Sequence, residues 1–580
     1  MVKKNSRETA QWRTMDLHIH TPASTDFQQM EVTFMEILQK AESRGLEILS
    51  ITDHNTIAGY RKLLEEISQL ELLETLNRLT LDEKSKLTEY RRLFKKMLIL
   101  PGFEFTATLG FHILAIFPPD KPIREIEHLL LSLGIPPDQL DIGSQTVGAT
   151  TDALTAYKQI NQAGGLVIAA HANSSNGVAM RGLNFGGQTR IAYTQDPNLH
   201  ALEVTDLEQK NGRTTAAFFN GTKPEYPRRM HCIQGSDCHR LTADSARKKV
   251  LGVGDRATDV LITDLTFDAL KELFIGNDFS RTRPHRHEEE PAYDFLQAAL
   301  EEGSNIVQEF HESMTIKGGK LYAILSDVCA FANTNGGTLF IGLPNDPHKP
   351  IEGIQDAEQA IGPLEKEIST RISPPLPLTI DVLEWKSKKI IRILVPRGND
   401  APYALDDYKI YVRDESETNL AVRDEVVGLV TRGLQRMSAT SEQQSELPVT
   451  TSPVVEPKPT KPEDNSPRTG VEVLKPEERG GKLYFTVRDL RNGNIVKNIT
   501  KASARRLWHY AITEYEELTS NPDQTFLQWH GDYGLIKKHK QGKTFYYDLI
   551  QRIPEGYRYY YGVTIDGIHG PWKYFTGEEE

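Results

Sequence analysis

The sequence of 580 residues is poor in cysteine and has no long apolar segment. Its three cysteines, Cys232, Cys238 and Cys329, are too few for a disulfide framework and fit a reducing compartment. No apolar run approaches the ~20 residues that span a bilayer. The polar start, MVKKNSRETAQWR, lacks the apolar stretch of a signal peptide. We therefore expect a cytoplasmic protein with no membrane partner.

An excess of positive charge and two common catalytic motifs are also missing. The formal net charge is -12, so the charge of the whole chain does not steer it to nucleic acid. Any such binding needs local basic patches or metal ions. The sequence has neither a G-x-S-x-G nucleophile elbow nor a P-loop. We predict no serine nucleophile and no ATP as cofactor.

Composition divides the chain into four segments, in line with the ~100–200 residues of an average domain. Residues 1–285 alternate apolar strands with helical patterns, which predicts a parallel α/β barrel or a doubly wound sheet, with a helical insertion at 61–96. Residues 291–436 have an α+β pattern. Residues 437–478 are rich in Pro, Ser, Thr and Glu and should form a disordered linker. Residues 479–580 should form a small α+β domain of unknown family that is aromatic and basic.

Side chains that bind metals recur at the ends of the predicted strands in the first segment. His18 and His20 alternate along one strand and share a face, where two imidazoles can hold one divalent ion. A barrel gathers the ends of its strands at one mouth. Imidazoles combined with carboxylates suit Zn, Mn or Fe rather than Ca. The predicted metal ligands are His18, His20, Asp26, His54, Glu104, His112, His171, Asp237 and His239.

Along the chain these ligands come in the order HxH, Asp, DHN, Glu, His, His and DxH. Over residues 12–285 this order resembles the PHP (polymerase and histidinol phosphatase) superfamily. MDLHIHTPAST is similar to its first motif and GSDCH to its last. The resemblance implies a distorted (β/α)7 barrel with two or three divalent metal ions. The implied ion sites are His18, His20, Glu104 and Asp237; Glu104, His112 and His171; and Asp26, His54 and His239.

Two further acids, Asp53 and Glu203, would orient ligands from behind, although a structural role for Glu203 is an equal alternative. Adjacent divalent ions lower the pKa of bound water and stabilise the attacking and leaving oxygens of a phosphoester. The residues expected to carry this chemistry are His18, His20, Glu104 and Asp237. We expect a metal-dependent phosphodiester hydrolase, a DNA or RNA nuclease. The alternatives are a phosphatase of a small phosphorylated metabolite or nucleotide, and a non-catalytic nucleic-acid-binding scaffold.

Residues 302–354 resemble the Schlafen AlbA_2 domain. The matching stretches are QEFH at 308–311, AFANTNGGTLFIGL and IEGI. This family is associated with nucleic-acid binding, and some Schlafen members cut RNA with clustered carboxylates. Here Ser304 stands about where the first acid would fall and His311 replaces a lysine, which favours a binding or oligomerisation role. The resemblance leaves open a homo-oligomer or a partner-protein complex through the last two domains. The fusion suggests bacterial defence against phage.

Basic residues in the second half are candidates for phosphate contacts. Around residues 505–572 they are interleaved with aromatics, a pattern that can bind phosphates and stack bases. The same aromatics serve a domain core equally well, and surface solubility explains any one of the basic residues. The predicted contacts are Lys317, Lys320, Arg413, Arg505 and Arg506.

Overall fold

The computed structural model describes residues 10–145, 151–174, 177–179, 187–209, 214–223, 225–244, 250–286, 294–316, 318–346, 349–442, 465–479, 482–490, 495–499, 501, 506–520, 527–541, 544–554 and 556–576. Lys317, Arg505 and the linker residues 443–464 lie outside these ranges, as does the side chain of Arg506. In the described part, no helix combines the length and the apolar character that a bilayer crossing requires.

A nine-stranded sheet and its helices make up the first unit. The strands are β1 (Gln11–Ile19), β2 (Ile48–Ile51), β3 (Leu98–Thr106), β4 (His112–Ile116), β5 (Leu166–Ala169), β6 (Ala201–Glu203), β7 (His231–Ile233), β8 (Thr258–Ile262) and β9 (Thr282–Pro284). The helices are α1 (Phe34–Ser43), α2 (Ala58–Thr75), α3 (Leu81–Lys96), α4 (Ile123–Ser132), α5 (Ala153–Gln162), α6 (Gly187–Gln195), α7 (Thr215–Phe218) and α8 (Phe267–Ile275).

The sheet runs in the order β7-β6-β5-β4-β3-β2-β1-β8-β9. Its edge strands β7 and β9 lie against each other, so the sheet is nearly closed. β1, β2 and β3 pair in parallel, as do β5, β6 and β7. β4 is antiparallel to both of its neighbours, and β8 is antiparallel to β1 and β9. The expected barrel is confirmed, but a wholly parallel sheet is wrong. Only residues 107–111 join β3 to β4, too few for the crossover that parallel strands need.

The predicted insertion at 61–96 corresponds to α2 and α3, which pack against each other. Thr80 begins α3 with a capping box, in which its hydroxyl accepts from the Glu83 amide and the Glu83 carboxylate accepts from the Thr80 amide. Leu63 and Leu70 on α2 are buried with Leu87 and Leu93 on α3. The pair therefore extends the hydrophobic core outward from the barrel.

The second unit is α+β, as expected. It contains α9 (Phe295–Glu302), β10 (Gln308–His311), α10 (Lys320–Asn333), β11 (Gly337–Ile341), α11 (Ala357–Arg371), β12 (Ile372–Ser373), β13 (Thr379–Trp385), β14 (Lys388–Val395), β15 (Ala404–Leu405), β16 (Tyr411–Asp414), β17 (Glu417–Leu420) and α12 (Arg423–Glu442). Its main sheet has the order β10-β11-β14-β13. Gly336, at φ 75°, makes the tight turn from α10 into β11 that the Asn-Gly-Gly sequence predicts.

The third unit is a seven-stranded antiparallel sheet with one long helix. Its elements are β18 (Val471–Arg479), β19 (Lys482–Asp489), β20 (Ile495–Ile499), α13 (Arg506–Ser520), β21 (Gln528–His530), β22 (Tyr533–Gln541), β23 (Thr544–Ile553) and β24 (Gly556–Thr564). α13 buries Trp508 and Ile512 against the sheet. Because α12 continues to Glu442 and β18 begins at Val471, both ends of the predicted linker 437–478 lie in regular structure.

Candidate metal centre

The nine predicted ligands converge at one end of the barrel. His18 and His20 lie at the end of β1, fully buried, with their Nε2 atoms 3.1 Å apart. An oxygen of Glu104 lies 3.4 Å from each of these nitrogens. Asp237 Oδ1 lies 3.4 and 3.6 Å from them. These four side chains offer donor atoms within 4.8 Å of one another, a set that can hold a metal ion.

Glu104, on β3, lies between two groups of histidines. Its Oε2 faces His18 and His20 and lies 2.8 Å from His54 Nδ1. Its Oε1 lies 2.8 Å from His112 Nδ1 and 3.2 Å from His171 Nε2. One fully buried carboxylate therefore turns each of its oxygens towards a different set of imidazoles, an arrangement that suits a bridge between two cations.

A third group lies beside the first. Asp26 Oδ2 is 3.1 Å from both His54 Nε2 and His239 Nε2. These two nitrogens are 3.3 Å apart. Asp26 and Asp237 keep about a third of their side-chain surface exposed, at 30% and 32%. Asp26 and Asp237 therefore mark the open side of the pocket, where a substrate can enter.

Buried polar atoms without hydrogen-bond partners show whether the pocket fits cations. His54 Nδ1 and Glu104 Oε2 lie 2.8 Å apart, yet both are buried without a hydrogen-bond partner among the described residues. Buried polar atoms are normally satisfied, and two such atoms can share a metal ion instead. Asp26 Oδ1 is buried and unsatisfied in the same way. The donor set thus fits divalent ions better than an internal hydrogen-bond network.

The carboxylates of the cluster favour protonated histidines in the protein alone. Burial lowers the pKa of His54, but Glu104 and Asp26 outweigh it and raise that pKa to about 10. Burial also opposes charge on His18, and Glu203, Asp237 and Glu104 still raise its pKa well above the usual value. Metal binding must displace protons from these imidazoles, so the affinity for a cation should rise with pH.

Two acids, Glu203 and Asp53, lie behind His18 and His20, on the side away from the pocket. Glu203 Oε2 accepts from His18 Nδ1 at 2.8 Å. Asp53 accepts from the Thr21 amide at 2.8 Å and from the Ser24 hydroxyl at 2.7 Å. That hydroxyl lies 3.1 Å from His20 Nδ1. Asp53 therefore acts on His20 through Ser24.

Sequence reasoning missed three of these supporting residues. Ser24 also accepts from the His54 amide at 3.2 Å, so it joins two predicted ligands. Ser174 Oγ lies 2.9 Å from His171 Nδ1. Asp16 accepts from the amides of Ser236 and Gly254 at 3.0 and 3.2 Å and fixes the loop before Asp237. Each lies within four residues of a predicted ligand, Asp16 before His18, Ser24 after His20 and Ser174 after His171, and this proximity is the signal that could have found them.

Two of the predicted ligands sit on an unusual backbone. His171 has φ 28° and Asp237 has φ 51°, a left-handed conformation that costs free energy for residues other than glycine. His171 follows β5 and Asp237 follows β7. At both positions the reversal of the backbone turns a ligand side chain into the pocket.

The structure corrects the prediction for Arg413. Its guanidinium is only 1% exposed and donates to Glu309 Oε2 at 2.6 Å and to Asp327 Oδ1 at 3.4 Å. It cannot reach a phosphate without breaking these bonds. Asp327 also pairs with His311 at 2.7 Å. Glu309 and Asp327 are thus neutralised within the unit, whereas Lys320 is exposed at the start of α10.

Comparison with known families identifies this second unit. Residues 305–422 match the family model of Schlafen, AlbA_2. The predicted AlbA_2 resemblance is confirmed. The AlbA_2 domain lies within the predicted segment 291–436, and Glu309, Asp327 and Arg413 belong to the matched region. Among curated proteins, no significant sequence match is found.

Solved structures with a similar fold include two that overlap about half of the chain. The lesion-specific endonuclease Q of Pyrococcus furiosus is 15% identical with a TM-score of 0.32; the match covers 47% of this chain and 58% of that one. A two-domain protein from Bacteroides vulgatus, described as containing a predicted PHP-like metal-dependent phosphoesterase, is 16% identical with a TM-score of 0.29. That match covers 50% of this chain and 68% of the other.

Proposed function

We propose that this chain is a metal-dependent phosphodiester hydrolase that acts on DNA or RNA. The observation that carries the proposal is the position of Glu104, whose two oxygens face separate groups of histidines at 2.8 Å. The residues that would hold the ions are His18, His20, Asp26, His54, Glu104, His112, His171, Asp237 and His239. Imidazole and carboxylate donors without thiolate suit Zn, Mn or Fe(II), and the three groups can accommodate two or three ions.

Bound divalent ions would supply an activated water and stabilise the oxygens of a phosphodiester. The protein fixes the positions of the side chains that would hold the ions. Glu203 and Ser24 fix the rings of His18 and His20. Burial of Glu104 keeps water from its two oxygens. The partly exposed Asp26 and Asp237 leave one side of the pocket open to a long substrate.

The nucleic-acid substrate is favoured by the AlbA_2 domain, which belongs to a family associated with nucleic-acid binding. Its contacts with the barrel support a joint role. Asn220 donates to Glu302 Oε1 at 2.7 Å, and Asn335 donates to the carbonyl of Gly221 at 3.2 Å. The same loop of the barrel therefore contacts the second unit at two points.

The test is a substrate screen with defined metals. The full chain is stripped with a chelator, reloaded with Mn, Zn or Fe(II), and incubated with end-labelled single- and double-stranded DNA and RNA. We expect cleavage that requires metal and is lost in His18→Ala and Asp237→Ala. The matched control is His128→Ala, which removes an exposed histidine of α4 and should leave cleavage unchanged.

Three results would contradict the proposal. Cleavage of a small phosphomonoester but of no nucleic acid would indicate a metabolite phosphatase. A chain that retains no divalent metal after reloading would indicate a scaffold. Cleavage that survives both substitutions would place the reaction elsewhere.

We also propose a role in bacterial defence against phage, because a barrel with this donor set is joined to an AlbA_2 domain. Cells that express the intact chain should reduce phage plating, and cells that express His18→Ala should not. Equal plating on both strains would contradict the role.

A further inference from the structure

The hairpin of β22 and β23 carries a cationic aromatic surface. In its register, Lys538 is opposite Tyr547 and Lys540 is opposite Phe545. Side chains alternate along a strand, so these four residues share one face of the sheet. Lys538, Lys540 and Phe545 are defined here as the hairpin patch.

The patch extends the aromatic core of the third unit into solvent. Tyr547 is 2% exposed and packs in one cluster with Trp572, whereas Phe545 is 45% exposed. Lys538 Nζ lies 5.3 Å from the centre of the Phe545 ring and 5.0 Å from that of Tyr547. Lys540 Nζ lies 5.3 Å from the Phe545 ring. An exposed ring is thus flanked by two ammonium groups.

No acid of the described residues offsets the charge of the patch. Among the described residues, neither Lys538 nor Lys540 pairs with a carboxylate. Lys537, on the opposite face, pairs with Glu514 at 2.7 Å. In a chain with a net charge of -12, two lysines beside an exposed ring form a local cationic surface that can attract an anionic ligand.

The ligand that matches this chemistry combines a flat ring with a repeated negative charge. A nucleotide strand offers both, because bases stack on aromatic side chains while lysines contact the backbone phosphates. An acidic peptide supplies charge without a ring at each step, and a lipid headgroup layer supplies charge without a ring to stack. A duplex keeps its bases stacked on each other. The combination therefore favours a single strand.

We propose that the hairpin patch binds a single-stranded segment of nucleic acid. The choice of ligand rests on the proposed function, and the inference adds to it a second contact on the same polymer, remote in sequence from the metal centre. Lys538 and Lys540 contact phosphates, and Phe545 stacks on a base.

The test is binding of labelled single-stranded DNA and RNA to the full chain in a chelator, followed by fluorescence anisotropy at several salt concentrations. Lys538→Glu with Lys540→Glu should weaken binding at least ~10-fold and reduce the salt slope by about 1.4, because each phosphate that a lysine neutralises on a single strand contributes ~0.7 to that slope. Phe545→Ala should weaken binding about 10-fold with an unchanged slope, and Phe545→Trp should restore it.

The matched control reverses the charge of two exposed lysines of α3, Lys84→Glu with Lys95→Glu. If the control weakens binding as much as the hairpin variant, or if the hairpin variant binds like the unmodified chain, the inference is overturned. Binding of the patch to anionic lipid vesicles but not to oligonucleotides would also overturn it.

A second readout separates this inference from the proposed function. Hydrolysis of the small diester bis(4-nitrophenyl) phosphate with added metal should be unchanged in the hairpin variants. If no diester is cleaved while oligonucleotide binding depends on the patch, the proposed hydrolase fails and the binding surface stands. If cleavage occurs while binding ignores the patch, only the inference fails.

Discussion

Arg392 offers the sharpest test of how the barrel and the AlbA_2 domain are joined. It lies on β14, and its side chain is 1% exposed. The guanidinium donates to both oxygens of Asp278 in the barrel, at 2.7 and 2.9 Å, and to both oxygens of Asp381 on β13, at 2.9 and 2.6 Å. A fifth bond reaches Ser280 Oγ at 2.8 Å. All five N–H donors of arginine are used.

The substitution Arg392→Met keeps a long side chain at this position but replaces the guanidinium with an apolar group, which removes the charge and every hydrogen-bond donor. Asp278 and Asp381, 15% and 7% exposed, then lose the guanidinium that neutralises their carboxylates. Breaking a buried ion pair in this way costs about 3–5 kcal/mol. We therefore expect the free energy of unfolding to fall by about 4 kcal/mol, towards the middle of that range.

The matched control is Arg371→Met. Arg371 makes the same two-point contact with one carboxylate, Asp406, at 2.8 and 3.0 Å, but both side chains are more than a quarter exposed. A pair at the surface contributes only about 0–1 kcal/mol. The two substitutions thus remove the same chemical group from environments that differ in burial.

The assay is urea unfolding of the full chain followed by tryptophan fluorescence, compared at a common slope. Adding Asp278→Asn and Asp381→Asn to Arg392→Met should recover a large part of the loss, because the buried negative charges that Arg392 neutralised are removed. Equal midpoints for Arg392→Met and Arg371→Met would refute the reasoning. So would a triple variant that is no more stable than Arg392→Met.

Three further predictions concern single side chains. Glu203→Gln should weaken metal binding about 10–100-fold, because the carboxylate that accepts from His18 is removed; competition with a chelator measures it, and unchanged affinity would contradict it. Burial, aided by nearby cations, lowers the pKa of His200 to about 4, so the stability that His200 contributes is present above pH 6.5 and is lost as the pH falls to 4. In His200→Gln, the slope of the unfolding free energy against pH in that window should flatten by up to ~1.4 kcal/mol per pH unit. An unchanged slope would contradict this prediction. Arg413→Ala should lower the melting temperature without changing the salt slope of nucleic-acid binding, and a shallower slope would show that Arg413 contacts phosphate.

The metal cluster could be predicted because its residues lie in or beside strands near one end of the barrel, which gathers them in one place. His18, His54 and His171 are distant in sequence, and each lies at or just after the end of a strand. The position of each histidine relative to its own strand can be inferred from nearby sequence, even though the contacts between the histidines join distant parts of the chain. That these side chains are metal ligands stays a prediction until a bound ion is measured.

Other features depend on partners that no local pattern reveals. The sequence suggests that Arg413 is a surface cation. In the structure it is buried and donates to Glu309 and Asp327, which lie about a hundred residues earlier in the chain. The antiparallel β4 follows from the brevity of its connection to β3. Ser24 bridges Asp53 and His54 only because β1 and β2 are neighbours. Sequence periodicity fixes which elements form, whereas these contacts depend on how the elements pair.

The charge distribution imposes a condition on how a polyanion can reach the pocket. Four acids line the pocket: Asp26, Glu104, Asp237 and the adjacent Glu203. In the protein alone, protonated imidazoles such as His18 and His54, whose pKa values are raised, offset them. The pocket without ions therefore offers a phosphate no excess of positive charge. Divalent ions at the three groups would displace those protons and make the pocket more positive. The hairpin patch would then supply attraction that does not depend on metal. Binding of nucleic acid in a chelator should therefore be governed by Lys538 and Lys540, whereas the gain in affinity on adding metal should disappear in His18→Ala. A gain that persists in that variant would mean that metal strengthens binding at some place other than the barrel.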